Sequence, residues 1–113
     1  MQHPIEELAP GVVMDTAFRP RGSRGFFTRL RLTRTHLDVL VLGRLARRVP
    51  LSDVRSFFVG HVSDTHNLRV TCESGETLVG FVQEAAVWRL RLIELLGSDR
   101  DSSAKHSGRI KAA

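Results

Sequence analysis

A chain of 113 residues with 42% hydrophobic and 26% charged residues has the composition of one ordinary globular domain, which excludes wholesale disorder. Its single cysteine, Cys72, cannot form an internal disulfide, and no cysteine pair exists for a zinc or redox motif. The formal net charge of +5 favours anionic partners such as phosphates, acidic lipids or acidic proteins.

The N-terminal segment, residues 1–9, is predicted to form a short helical turn or to be disordered, and Pro10 and Gly11 end it in either case. It carries Glu6 and Glu7 and lacks the apolar stretch of a signal peptide. No run of the chain approaches the about 18 apolar residues of a membrane-spanning helix. We therefore expect a cytoplasmic protein whose domain occupies residues 10–97.

Alternation of apolar and polar residues predicts a mostly β domain. A typical example is residues 26–33, where Leu30 and Leu32 share one face and Arg29 and Arg31 the other. The predicted strands are residues 12–18, 26–33, 37–42, 45–51, 57–59, 68–73 and 77–82. The third strand is apolar on both faces toward its end, which is typical of a central or covered strand. Seven strands are therefore expected.

One helix is predicted to follow the strands. Apolar residues recur there at helical spacing, at Ala85, Trp88, Leu92, Leu95 and Leu96. Gly97 fits the stop position of this helix. Residues 98–113 contain Ile110 as their only large apolar residue, so they are expected to form a disordered, mildly basic tail.

Two motifs and this order of elements resemble pleckstrin-homology (PH)-like domains of the bacterial PH and GRAM type, over about residues 11–97. The motifs are Phe27–Thr33 with Leu37, similar to the second and third strands of that superfamily, and Arg48–Val54, similar to its Pro-Leu-Ser-Asp segment. Trp88 lies where the family keeps a helix tryptophan. The resemblance implies a roll of two orthogonal antiparallel sheets, strands one to four and five to seven, capped by the helix. A barrel of another topology would have the same order of elements.

The positive charge is concentrated in residues 19–55, where ten arginines and two aspartates give a local charge of +8. In PH domains that bind phosphoinositides, clustered cations at the open mouth neutralise the lipid headgroup, so the resemblance implies an anion site here. The candidate residues are Arg19, Arg21, Arg24, Arg29, Arg31, Arg44, Arg47 and Arg48. Glu73 and Glu76 on a nearby loop would oppose an anion, and a merely solvated basic face remains the alternative.

Protein partnership is the first functional hypothesis. Bacterial PH-like domains often form oligomers or bind peptides by adding a strand to a sheet edge. Phe57 and Phe58 are adjacent on one strand and must point to opposite faces, so they mark a possible interface, although both could be covered by core. Binding to anionic lipid is the alternative. Nucleic acid is the second alternative, because Phe27 is the only aromatic residue among the outward arginines.

Catalysis, a metal site and a cofactor are not expected. His61, Asp64 and His66 could bind a metal, but they crowd one loop without a fourth ligand, which favours a polar loop. Cys72 shares a strand face with Leu68 and Val70 and is predicted to be a small buried hydrophobe. No nucleophile, Walker or dinucleotide motif is present. The sequence therefore predicts a non-catalytic binding module.

Overall fold

The computed structural model describes residues 11–22, 27–60 and 66–103, in which seven antiparallel strands form one sheet and a helix follows them. The strands are β1 (Val12–Pro20), β2 (Thr28–Thr33), β3 (His36–Val41), β4 (Arg44–Pro50), β5 (Val54–Val59), β6 (Leu68–Cys72) and β7 (Thr77–Val82), and the helix is α1 (Ala85–Leu96). Their order across the sheet is β4-β3-β2-β1-β7-β6-β5. The predicted mostly β fold with seven strands and one C-terminal helix is confirmed.

Strand β1 joins the two halves of the sheet. Its residues from Val12 to Ala17 pair with β2, and its last three residues, from Phe18 to Pro20, pair with β7. The ladder continues one residue further, because the backbone N–H of Arg21 donates to the carbonyl of Val79 at 2.9 Å. A strand that pairs with different neighbours along its length makes the sheet curl around one core.

The core lies on the inner face of the curled sheet, and α1 completes it. Alternate residues of β1 are buried, Met14, Thr16 and Phe18, as the period-two pattern predicts. Trp88 is fully buried, and its indole Nε1 donates a hydrogen bond of 2.9 Å to the hydroxyl of Thr16. This bond satisfies the one polar atom of the indole inside the core and connects α1 to β1.

Gly80 permits close packing where β1 passes from β2 to β7. A Cβ atom added to Gly80 would overlap the ring of Phe18 and lie 2.6 Å from the carbonyl oxygen of Arg19. No side chain larger than hydrogen fits at this position unless β1 moves away from β7. The turn after α1 also depends on glycine, because Gly97 has a φ of 94° and its N–H donates to the carbonyl of Ile93 at 2.8 Å.

Residues 98–103, which we call the C-terminal segment, continue the domain beyond the helix. Asp101 forms a parallel bridge with Phe57 of β5, and the backbone N–H of Val59 donates to the Ser103 hydroxyl at 2.7 Å. The Ser102 hydroxyl donates to the carbonyl of Phe57 at 2.9 Å. The expectation of a disordered tail starting at Ser98 is therefore corrected for these six residues. They form hydrogen bonds with backbone groups at the free edge of β5. Residues 1–9 and 104–113 lie outside the described residues.

Across the part of the chain that the structure describes, none of the helices combines the length and the apolar character that crossing a bilayer requires.

Replacing Gly80 with alanine should destabilise the protein by about 2–3 kcal/mol, because the added methyl group must displace Phe18 or the backbone of β1. Chemical denaturation measures this change. Gly60→Ala is the matched control, since a Cβ there makes only an ordinary contact of 3.7 Å with the Phe58 ring. Equal stability of the two variants would show that β1 and β7 do not approach this closely.

The buried carboxylate of Asp101 should make the C-terminal segment sensitive to acid. Burial would raise the pKa of Asp101, but hydrogen bonds from Ser103 and Arg89 outweigh it, so the pKa lies below the ordinary value of 3.8. A lowered pKa stabilises the folded state above about pH 4 and loses that effect as the pH falls through the folded-state value. Asp101→Asn should lower the free energy of unfolding at pH 7 by about 1–2 kcal/mol and flatten its dependence on pH below 4. An unchanged pH profile would contradict this assignment.

Candidate functional site

The arginines of β2 are engaged by one aspartate on the neighbouring strand. Arg29 Nε donates to Asp15 Oδ1 at 2.6 Å, and Arg31 Nε donates to Asp15 Oδ2 at 3.0 Å. The register explains the geometry, because Asp15 of β1 pairs with Arg31 and Ala17 pairs with Arg29, which places all three charged side chains on the outer face. One carboxylate therefore offsets part of the charge of two candidate anion-binding residues.

A second aspartate engages Arg48 on the same outer face. Asp38 of β3 is buried, and Arg48 of β4 donates to its two carboxylate oxygens at 2.9 and 3.1 Å. The fork of the guanidinium matches both oxygens, and this hydrogen bonding raises the pKa of Arg48 above its ordinary value. Asp38 also lies opposite Arg31 in the β2–β3 register. The outer face of β1 to β4 is therefore a ladder of mixed charge.

Arg47 lies on the other side of β4 from Arg48. A bulge shifts the β3–β4 register between Val39 and Leu40. Arg47 pairs with Val39 and reaches the start of β7, where its guanidinium donates to the carbonyl of Thr77 at 3.1 Å and lies 3.6 Å from the carboxylate of Glu76. Arg47 thus connects the edge strand β4 to the start of β7 across the curled sheet.

The remaining candidates fall into different environments. The guanidinium of Arg19 lies over the ring of Phe81, 5.4 Å from its centroid. Arg21 and Arg44 are exposed, and no acidic group of the described residues lies within 4 Å of either side chain. Arg24 lies outside the described residues. The seven predicted arginines that the structure describes are therefore distributed over two faces and the loop end of the sheet instead of forming one cluster.

The β3–β4 hairpin carries an exposed apolar surface that the sequence analysis did not identify. We define the hairpin tip as Phe27, Val41, Leu42, Arg44 and Leu45. The exposed fractions are 69% for Phe27, 70% for Leu42, 51% for Leu45 and 41% for Val41. The N–H of Leu42 donates to the carbonyl of Phe27 at 2.9 Å, so the start of β2 and the turn are held together. Four of the five large exposed apolar side chains among the described residues lie here.

Leu42 occupies an unfavourable backbone conformation in addition to its exposure. Leu42 and Gly43 form the turn, with φ angles of 53° and 80°. Two residues with positive φ between antiparallel strands are typical of a hairpin turn that favours Asn-Gly. A leucine in the left-handed region costs about 1–2 kcal/mol, whereas asparagine adopts it more readily. The sequence carries part of the signal for this turn. Gly43 stands at its second position as usual, but Leu42 stands at the first position, where asparagine is common.

The predicted interface residues Phe57 and Phe58 lie on opposite faces of β5, as their adjacent positions require. Phe57 is buried in the core, so its side chain is inaccessible to a partner. Phe58 is half-buried on the outer face, where the guanidinium of Arg69 lies 6.0 Å from its ring centroid. Only Phe58 therefore remains as an interface candidate.

Among the residues that the structure describes, no three His, Cys, Asp or Glu side chains are grouped closely enough to hold a metal ion. Of the three metal candidates, His61 and Asp64 lie outside these residues. His66 is buried, and this burial lowers its pKa, as do the positive charges of Arg21 and Arg69. Cys72 is buried as predicted, and burial raises the pKa of its thiol, which disfavours the reactive thiolate.

Comparison with models of known protein families gives no match, and a search of curated proteins also finds no similar chain.

Replacing Asp15 with asparagine should increase the affinity of the protein for a polyanion, because it releases both Arg29 and Arg31 on one exposed strand. The salt concentration that elutes the protein from heparin measures this affinity. Glu94→Gln is the control, since it adds the same unit of charge but releases only Arg91 on the helix. Asp15→Asn should elute at the higher salt concentration. Equal elution of the two variants would mean that Asp15 does not restrain the β2 arginines.

Proposed function

We propose that the protein is a non-catalytic, PH-like binding module that attaches to anionic membrane surfaces through its hairpin tip. The finer architecture that we propose is a roll of two orthogonal sheets, β1 to β4 and β5 to β7, joined by the bend of β1 and closed by α1. The division of the β1 pairing between β2 and β7 supports this architecture. The burial of Trp88 against Thr16 supports the position of the helix.

The observation that carries the proposal is Leu42, which is 70% exposed in a left-handed turn conformation. An asparagine there would relieve the backbone strain and avoid exposing an apolar side chain. Insertion of the Leu42 side chain into an apolar medium removes the cost of its exposure to water. Burying one leucine or phenylalanine side chain is worth about 1.5–3 kcal/mol. Leu42 and Phe27 together therefore provide an apolar anchor.

The charges near the hairpin tip favour an anionic surface over a neutral one. Arg44 follows the turn directly, and Arg21 belongs to the same connection between β1 and β2 as Phe27. Each arginine near an acidic leaflet contributes about 1 kcal/mol at physiological ionic strength. Stable attachment generally needs two signals, and the tip combines apolar insertion with cationic attraction. The two glutamates that were expected to oppose an anion, Glu73 and Glu76, lie in the β6–β7 turn. The carboxylate of Glu76 lies 3.6 Å from the guanidinium of Arg47.

Peptide binding by strand addition receives less support from the edges of the sheet. The C-terminal segment already bonds to the β5 edge through Asp101 and Ser103. The other edge strand, β4, has a bulge, ends in Pro50 and carries Arg44, Arg47 and Arg48. Bulges, edge charges and prolines are common devices that prevent strands from adding to a sheet. A protein partner at the hairpin tip remains the competing outcome of the experiment.

Leu42→Asn should weaken vesicle binding about tenfold or more while raising the free energy of unfolding by about 1 kcal/mol, because the same change removes the apolar anchor and the backbone strain. Vesicle flotation measures the first effect, with phosphatidylcholine vesicles prepared with and without phosphatidylserine. The wild-type protein should float only with the acidic vesicles. Chemical denaturation measures the second effect.

The matched control is Leu90→Gln, which removes a leucine that is 59% exposed on the helix. This variant should bind acidic vesicles like the wild type. Absence of wild-type binding at low salt would reject the membrane proposal. Equal loss of binding in the two variants would show that general surface hydrophobicity, and not the hairpin tip, is responsible.

A further inference from the structure

One row of residues on the outer face of β1 to β4 carries charges of alternating sign. Asp15 pairs with Arg31 in the β1–β2 register, and Arg31 pairs with Asp38 in the β2–β3 register. Asp38 pairs with Arg48 in the β3–β4 register. From β1 to β4 the charges are therefore negative, positive, negative and positive. We call these four residues the alternating row.

The order of these signs makes the alternating row complementary to itself. When a second copy is turned end to end and laid face to face on the first, Asp15 lies opposite Arg48 of the second copy. Arg31 then lies opposite Asp38 of the second copy. A twofold axis parallel to the strands, between β2 and β3, produces this arrangement, and each contact occurs twice. A twofold axis along the row would instead place like charges opposite each other, which is unfavourable.

The side chains of the row have the reach and the order that such packing requires. Sheets that pack face to face lie about 10 Å apart, which an arginine and an aspartate side chain together can span. The exposed fractions of the side chains are 36% for Arg31 and 50% for Arg48, whereas those of Asp15 and Asp38 are 14% and 6%. Each of the two arginines already donates to an aspartate of its own chain. Little side-chain freedom is therefore lost on association.

The rows on either side also match in this arrangement. One of them consists of Ala17, Arg29, Leu40 and Leu45. In the dimer Ala17 covers Leu45 of the second copy, a leucine that is 51% exposed in the single chain. On the other side, Thr33 lies opposite His36 of the second copy, and both side chains form hydrogen bonds.

The size and charge of the face determine the strength of the contact. Four strands and three rows cover about 400 Å² of each copy in projection, whereas a stable interface buries about 800 Å² per partner. Arg29 also donates to Asp15, so three arginines and two aspartates give the face one net positive charge. We therefore expect a weak, reversible dimer with a dissociation constant on the order of 100 μM.

We propose that the alternating row is the centre of a twofold-symmetric homodimer, in which Asp15 of each copy faces Arg48 of the other. The proposal does not depend on the membrane proposal. Because the axis is parallel to the strands, both hairpin tips lie at the same end of the dimer. This arrangement allows both copies to contact one surface.

Sedimentation equilibrium of the full chain tests for the dimer. At about 0.15 M salt, which screens the repulsion between two positively charged copies, the mean mass should rise from 12.6 kDa towards twice that value as the concentration reaches about 500 μM. Leu42→Asn should associate equally, because Leu42 lies outside the three rows. A wild-type protein that stays monomeric would overturn the proposal. Loss of association in Leu42→Asn would also overturn it, since the contact would then belong to the hairpin tip.

A charge exchange tests which residues face each other. Asp15→Lys alone and Arg48→Glu alone each place like charges opposite each other, so each variant should dimerise about tenfold or more weakly than the wild type. In an equimolar mixture the introduced lysine meets the introduced glutamate, and the native Arg48 meets the native Asp15. The mixture should therefore recover the wild-type affinity to within about threefold. Failure of the mixture to associate better than either variant would overturn the proposal.

Glu94→Lys and Arg91→Glu are the matched controls, because they make the same changes of charge at an ion pair on α1. Both should associate like the wild type. A loss equal to that of the row variants would overturn the proposal, since net charge alone would explain it.

Neutral variants keep the test decisive if circular dichroism shows that Asp15→Lys or Arg48→Glu does not fold. Asp15→Asn and Arg48→Gln should each weaken the dimer about threefold or more. Glu94→Gln and Arg91→Gln should leave it unchanged. Equal effects of the two pairs would overturn the proposal.

Discussion

The structure depends on the path of β1, which leaves β2 and joins β7 at Phe18. Two contacts allow this change of partner. Gly80 lets the ring of Phe18 and the backbone of β1 lie directly against β7. Two residues earlier, the hydroxyl of Thr16 accepts the indole N–H of Trp88, so the helix is attached beside the same bend. Loss of either contact would weaken the junction between the two halves of the sheet, because β1 is the strand that pairs with both β2 and β7.

This architecture also determines which surfaces can act in binding. The C-terminal segment covers the edge of β5, and a bulge, arginines and Pro50 protect the edge of β4. The backbone at these two edges is therefore poorly placed to pair with an added strand. A partner would contact side chains instead. Aspartates engage Arg29, Arg31 and Arg48, whereas no acidic group of the described residues lies within 4 Å of Arg44 at the hairpin tip. The position of acidic neighbours, more than the number of arginines, distinguishes these surfaces.

Much of the fold could be predicted from the sequence because its patterns are local. Alternation of apolar residues marks each strand, and helical spacing with Gly97 marks α1 and its end. The C-terminal segment could not be predicted in this way. Its residues are polar and show no periodicity, and their structure comes from bonds to a strand more than 40 residues away, such as that between Ser103 and Val59. A nonlocal contact of this kind leaves no pattern in the segment itself.

The candidate sites were harder to predict, since they depend on strand register. The sequence marks Arg29 and Arg31 as outward-facing, but only the register places Asp15 between them. Similarly, Arg31 and Arg48 are brought into one row because β3 lies between β2 and β4. The hairpin tip is an intermediate case. Its turn glycine is visible in the sequence, whereas the exposure of Leu42 depends on how the described strands are arranged around it.

The environment of the lone tryptophan provides the most direct test of this account. In a nuclear magnetic resonance spectrum of the labelled protein, Trp88 gives the single indole N–H signal. The account predicts that this proton exchanges slowly with solvent and shows a nuclear Overhauser effect to the side chain of Thr16, 72 residues away. Rapid exchange of the indole proton, with no effect to Thr16, would contradict the closure of the sheet by the helix.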